Sequence, residues 1–232
     1  MPARVVEEQR NTFRIAAAPD VHHPAELTGK LRRDASLGSR TRPGTGDWVA
    51  AAMPRDKGGL ALIHHVLERR TCFSRQEAGT RTAEQVIAAN VDTVFLVQSL
   101  NQNFNVRRIE RYLALLWESG AEPVVVLSKA DLCPDPSPHV AEAERAARGV
   151  AVLTVSAVRE GGLEPLRPYL APGRTVALVG SSGVGKSTLV NALMGAEVMD
   201  VQTIREDGRG RHTTTSRQLV ALPGGGLLLD TP

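Results

Sequence analysis

Apolar runs recur through the second half of the chain: "VFLV" (94–97), "VVVL" (124–127), "VAVLTV" (150–155), "VALV" (176–179) and "LLLD" (227–230). Helical or loop stretches separate them. Short continuous apolar runs suit strands of a parallel sheet covered on both faces, so an α/β domain is expected over residues 91–232. In "NVRRIERYLALLWESG" (105–120), Val106, Ile109, Leu113, Leu116 and Trp117 recur at helical spacing, with Gly120 placed to end the helix. Residues 1–72 have a different texture. There "TGKLRRDAS", "GDWVAAAM" and "LALIHHVLERR" are short, β-leaning runs cut by the turn-forming "RPGTG" and "PRDKGG". Closing such strands on themselves hides their edges, which predicts a small barrel, OB-like or SH3-like. The polar stretch "FSRQEAGTRTAEQVIAAN" (73–90) reads as a linker.

Composition narrows the class. The 232 residues include two cysteines, Cys72 and Cys133, 61 positions apart and outside any CxxC, which encodes neither a disulfide framework nor a thiolate zinc site. A reduced, cytoplasmic protein fits. The start, "MPARVVEEQR", lacks an apolar core of a signal peptide, and no run of about 18 apolar residues occurs, so no membrane association is expected. His64 and His65 are adjacent on one expected strand and point to opposite faces, with no further ligands nearby to make a metal site. The net charge is +3, but residues 1–80 hold 13 Lys and Arg against 9 Asp and Glu, and residues 81–232 hold 15 against 16. Positive charge gathered in the first third is a mild nucleic-acid signature. A solvated, arginine-rich surface accounts for it equally well.

The chemistry begins at "GSSGVGKST" (180–188). Gly180, Gly185, Lys186 and Ser187 match G-x-x-x-x-G-K-[ST], between an expected strand, "TVALV", and an expected helix, "STLVNALMG". In such a loop the backbone amides of Gly180, Ser181, Ser182, Gly183, Val184 and Gly185 and the helix start at Ser187 and Thr188 face phosphates. Lys186 reaches the β- and γ-phosphates, where it also serves catalysis, and the Ser187 hydroxyl binds Mg²⁺. Upstream, "VVVLSKADL" ends a buried strand with Ser128, Lys129 and Asp131. A carboxylate there accepts from both N1–H and the 2-amino group of guanine, which adenine cannot satisfy, while the Lys129 stem lies over the ring. Ser156 and Ala157 close another strand, where small residues let a backbone N–H approach the guanine O6. Downstream, "EDGRGRHTTTS" offers Thr213 and Thr214 as Mg²⁺-completing hydroxyls of a switch loop, or an ordinary β-branched strand start. Asp230 ends "LLLD" as an outer partner of the Mg²⁺. His212 is the candidate catalytic base or water-orienting group; a solvent-exposed loop histidine is the alternative.

Base motif, backbone motif, phosphate loop, threonines and aspartate thus follow one another in an order circularly permuted from ordinary GTPases, where the phosphate loop comes first. With a small barrel ahead of it, this resembles the ribosome-small-subunit-dependent GTPase family, RsgA/YjeQ. The likeness extends to "AANVDTVFLV", "EPVVVLSKADL", "VSAVREGGLEPL" and "GRHTTTSRQL". It implies a GTPase using GTP, GDP and Mg²⁺ that binds the 30S subunit and 16S rRNA through its barrel, late in subunit assembly, as a monomer. Two departures stand out. Ser128 replaces the usual Asn or Thr, and is expected to loosen the base loop. The family continues beyond the aspartate into a second switch and a zinc-binding domain, neither of which lies in these 232 residues, so the chain reads as truncated and zinc is not expected in it. Two further readings stay open: a nucleotide-dependent RNA-binding module with negligible hydrolysis, and an ATP-dependent enzyme, against which "SKAD" and the permuted order argue.

Overall fold

The computed structural model describes residues 1–9, 12–19, 21–37, 42–54, 56, 58–76, 84–101, 103–195 and 217–230. They form two compact units: the first takes Met1–Val91 and, late in the chain, 217–220, and the second takes the rest.

The first unit contains strands β1 (Pro2–Glu8), β2 (Phe13–Ala18), β3 (Val21–Leu27), helix α1 (Gly29–Leu37), β4 (Trp48–Ala52) and β5 (Ala61–Val66). The pairings run β1–β2–β3–β5–β4, and β4 pairs back onto β1, which closes a five-stranded barrel. Alternation explains its filling. Ala3 and Val5, Phe13 and Ile15, Ala25 and Leu27, Val49 and Ala51, Ala61 and Ile63 are two apart on their strands and all point inward. The stretch 28–36, expected as strand, is instead helical. Thr28 starts it by accepting at its hydroxyl from Leu31 N–H (3.4 Å) and at its carbonyl from Arg32 N–H (2.9 Å), and Leu31 is buried against the barrel core. One apolar anchor in an otherwise charged run is a poor strand pattern but enough to dock a short helix.

The residues read as a linker also carry structure. Strands β6 (Cys72–Gln76) and β7 (Glu84–Ala89) pair antiparallel within the first unit. The glycine turn before β4 grips them: Ala89 N–H donates to Thr45 O, while Arg4 Nη2 donates to Asn90 O at 2.9 Å and Asn90 Nδ2 to Gly46 O. Phe73, Val86, Ala88 and Ala89 bring the apolar burial there, too irregularly spaced for the periodicity of a sequence to reveal. At the centre of the turn Asp47 is fully buried. It accepts from Gly44 N–H and from both Nε and Nη2 of Arg69, at 2.8, 2.8 and 2.7 Å.

The second unit holds β8 (Thr93–Ser99), α2 (Val106–Ser119), β9 (Glu122–Ser128), α3 (Ser137–Ala147), β10 (Ala151–Thr154), a 3-10 segment (Glu164–Leu170), β11 (Thr175–Val179) and α4 (Lys186–Met194). Strand β12 (Arg217–Ala221) belongs to the first unit up to Val220 and pairs there with β1, and β13 (Leu227–Asp230) completes the second unit. The spatial order β10–β9–β8–β11–β13 is parallel throughout. Helix α2 follows the expected pattern: Asn105 caps it, Ile109, Leu113 and Leu116 are fully buried, and Gly120 ends it. Trp117 departs from that pattern, since one position beyond Leu116 turns it 100° off the buried stripe and leaves it 53% exposed.

Buried and exposed ion pairs should separate cleanly in the first unit. Asp47→Ala strands the Arg69 guanidinium and is expected to cost about 3–5 kcal/mol. Removing Arg32 from its open pair with Glu26 should cost under about 1 kcal/mol. Urea unfolding midpoints measure both; equal destabilisation would contradict the assignment.

Candidate nucleotide site

Parallel strands send their following loops off one edge, and here the chain reverses direction across the sheet between β8 and β11. Such a switch point opens a crevice beyond the carboxyl ends of the strands. Register puts Ser99 opposite Ser128, Thr154 opposite Leu127, and Leu178 opposite Asp230. The loops after β9, β10 and β11 and the end of β13 therefore meet at this edge.

The phosphate loop leaves β11 at Gly180, where an added Cβ would lie 2.5 Å from the Val97 carbonyl oxygen. That approach, not turn propensity, requires the first glycine. Gly185 caps α4 and Lys186 opens it, so the helix start and its free amides sit at the loop's end. The Lys186 ammonium donates to Gly180 O (2.8 Å) and Ser181 O (3.3 Å). Burial holds its pKa below the usual lysine value, opposed by the negative charge of Asp230, itself 1% exposed.

The base loop is tied to the phosphate loop by two side chains. Ser128 Oγ donates to Val184 O at 2.6 Å, so the short residue expected to loosen the loop anchors it instead; a hydroxyl suffices because the acceptor is so near. Lys129 adopts a left-handed backbone conformation, φ 60°, which turns its ammonium onto Gly183 O at 2.7 Å. Its pKa is lowered by burial, against the favourable charge of Asp131. The Asp131 carboxylate accepts from Ser156 Oγ at 2.7 Å, joining the loops after β9 and β10. Ser156 is held in turn by its N–H to Gly162 O, in a loop so tight that a Cβ on Gly162 would lie 2.3 Å from Ser156 O. Ala157 follows at the same strand end, partly buried.

Residues 128–131, 156–157, 180–188 and 230 are thus gathered at one edge, while His212, Thr213 and Thr214 lie outside the described residues. Reading the sequence missed Arg108, whose Nη1 donates to Ser181 Oγ at 2.9 Å across 73 positions, and Gly162; neither belongs to a contiguous pattern that spacing exposes. Among the described residues no group of three or more His, Cys, Asp or Glu could hold a metal alone, and no helix is long and apolar enough to cross a membrane.

A closed five-stranded barrel and a parallel α/β unit whose base loop precedes its phosphate loop define a P-loop GTPase fold with circularly permuted motif order. Residues 66–232 match the family model described as RsgA GTPase. The chain belongs to the RsgA GTPase family. It is 48% identical, over 240 aligned residues, to the "Small ribosomal subunit biogenesis GTPase RsgA" of Opitutus terrae, covering 100% of this chain and 65% of that one. The chain spans 60–65% of the length of the first three such relatives. Its structure resembles YjeQ from Thermotoga maritima, with TM-score 0.70, 28% identity and coverage of 100% of this chain and 74% of that one. It also shares the fold of YloQ, a circularly permuted GTPase, with TM-score 0.62, 18% identity and coverage of 100% and 70%.

The close approach at Gly162 carries a prediction. Gly162→Ala should push Ser156 away from Asp131 and weaken guanine-nucleotide binding by roughly tenfold, the scale of one hydrogen bond to a charged group. Titration calorimetry with GDP checks this, and unchanged affinity would detach the Ser156 bond from the base site.

Proposed function

We propose that the chain binds GDP and GTP at the carboxyl edge of the second unit and hydrolyses GTP as a cytoplasmic, monomeric factor in late assembly of the 30S subunit. The observation that carries this reading is the bonding of Asp131 to Ser156 while Ser128 and Lys129 hold the phosphate loop. A carboxylate fixed by a neighbouring hydroxyl is presented as a double acceptor for N1–H and the 2-amino group of guanine. The amide-rich turn and Lys186 then take the phosphates.

The residues fit Mg²⁺. The first-turn hydroxyl of Ser187 would bind it directly, with Asp230 as its outer partner, and Thr213 or Thr214 completing the set. Such an ion would take its remaining ligands from phosphate and water. Bound there, it would supply charge neutralisation on the phosphates. Lys186 orients and stabilises the phosphoryl oxygens, and His212 orients the attacking water.

The barrel is the proposed contact for 16S rRNA. Helix α1 presents Lys30, Arg32 and Arg33 at the surface, in the third of the chain where positive charge gathers. The names of the relatives support this partner, as they are small ribosomal subunit biogenesis GTPases.

Three measurements test the proposal. Turnover of GTP with and without 30S subunits should show stimulation; no turnover under either condition would favour a binding module. Asp131→Asn exchanges an acceptor for an amide that donates to the 2-oxo group of xanthine, so preference should move from GTP toward XTP, and retained GTP preference would remove Asp131 as the base reader. Replacing Lys30, Arg32 and Arg33 by Ala should lower the log–log salt slope of subunit binding by up to about one unit for each phosphate no longer neutralised. An unchanged slope places the RNA-binding surface elsewhere.

A further inference from the structure

Arg108 belongs to none of the motifs above, yet it reaches the phosphate loop. It sits in the first turn of α2, where its N–H donates to the Asn105 side chain at 3.0 Å, so its backbone is fixed by the helix cap. Its guanidinium Nη1 donates to Ser181 Oγ at 2.9 Å and lies 3.3 Å from Asn103 O. From the other direction, Lys186 donates to the Ser181 carbonyl. Ser181 is therefore held by two cations, one through its side chain and one through its backbone.

The two are not equivalent. Lys186 serves phosphate only by turning its ammonium away from Gly180 O and Ser181 O. Arg108 carries five N–H donors and needs only one for the Ser181 hydroxyl, so a phosphate can draw on another without breaking this bond. Nor does the buried floor offer a substitute. Gln98 follows Val97, whose carbonyl abuts Gly180, and it is fully buried at the end of β8, but neither its Nε2 nor its Oε1 has a hydrogen-bond partner among the described residues.

We propose that Arg108 is a positioning residue for nucleotide binding, acting through Ser181 to hold the first half of the phosphate loop in its anion-binding shape after Lys186 has turned to the phosphates. This rests on the reading of residues 180–187 as a nucleoside di- or triphosphate site.

Calorimetric titration of GDP with Mg²⁺ into the 232-residue chain tests it, using wild type, R108A, R108K, S181A, the R108A/S181A double variant and K186A, each with its unfolding midpoint measured without nucleotide. R108A should weaken GDP roughly tenfold, the order expected of a charge-assisted hydrogen bond, with the midpoint moved by no more than about 2 °C. S181A should reproduce that effect, and the double variant should be no worse than either single one. R108K should recover part of the affinity, since it keeps the charge but not the planar fork. Affinity of R108A within about twofold of wild type overturns the proposal, as do a double variant whose two effects add, or a fall in affinity matched by a fall in midpoint. If R108A does not fold, S181A decides, and wild-type affinity there overturns it. K186A separates the two readings: if it too binds GDP normally, the phosphate site itself is misplaced.

Discussion

Parallel pairing of β8 with β9 on one side and β11 on the other obliges the loops that follow these strands to leave from the same edge of the sheet. Without that alignment the base loop and the phosphate loop, 56 residues apart at Ser128 and Val184, have no reason to meet. With it, one hydroxyl and one ammonium are enough to lock them together. The order in which the chain visits the strands does not enter. A strand's neighbours are set by pairing, so moving the point at which the chain begins changes connectivity at the opposite edge and leaves the carboxyl edge intact. Asp92 shows what work that opposite edge performs: its N–H and carboxylate bond Thr175, and its carbonyl accepts from Glu122 N–H, which stitches the starts of β8, β9 and β11.

The same logic explains which parts were legible from residues alone. Lys129 with Asp131, and Gly180 through Ser187, are contiguous because each loop does its chemistry with consecutive residues, and the apolar runs before them announce the strands. The barrel was legible as a class, since turn clusters cut its strands. Helix α1 and the β6–β7 pair were not. For α1 the deciding bonds are local, from Leu31 and Arg32 to Thr28, and were passed over for the β-leaning texture around them; for β6–β7 a clamp from a distant turn, Thr45 against Ala89, decides, and local pattern carries no trace of it. Arg108 is the extreme case, a side chain whose role depends wholly on a partner 73 positions away.

Ser128 shows how far a departure from a family pattern can be judged without geometry. The replacement of a longer side chain by a hydroxyl reads as a weakening when only length is considered. In the fold the Val184 carbonyl comes to 2.6 Å, and the hydroxyl also lies 3.1 Å from Gln98 O, so the serine sits between two carbonyls and can donate to the nearer. What matters is that a donor reaches Val184, and the approach of the loops supplies the reach that the side chain lacks.

Two lysines at this edge, Lys129 and Lys186, are both partly buried, and burial lowers the pKa of each. An ammonium withdrawn from water must be solvated by something else, and here loop carbonyls do it: Gly183 O for Lys129, Gly180 O and Ser181 O for Lys186. These carbonyls compete with phosphate for Lys186. The affinity of the loop for a nucleotide is consequently a difference, the attraction of the ammonium for phosphate less its attraction for the loop's own backbone. A weaker internal bond would raise affinity but leave the ammonium poorly solvated and easier to deprotonate, and Asp230 opposes that by favouring the charged form. The lysine is thus kept charged, close and releasable, and the loop keeps other bonds than those of Lys186 to hold its shape, from Ser128 to Val184 O, from Lys129 to Gly183 O and from Arg108 to Ser181 Oγ.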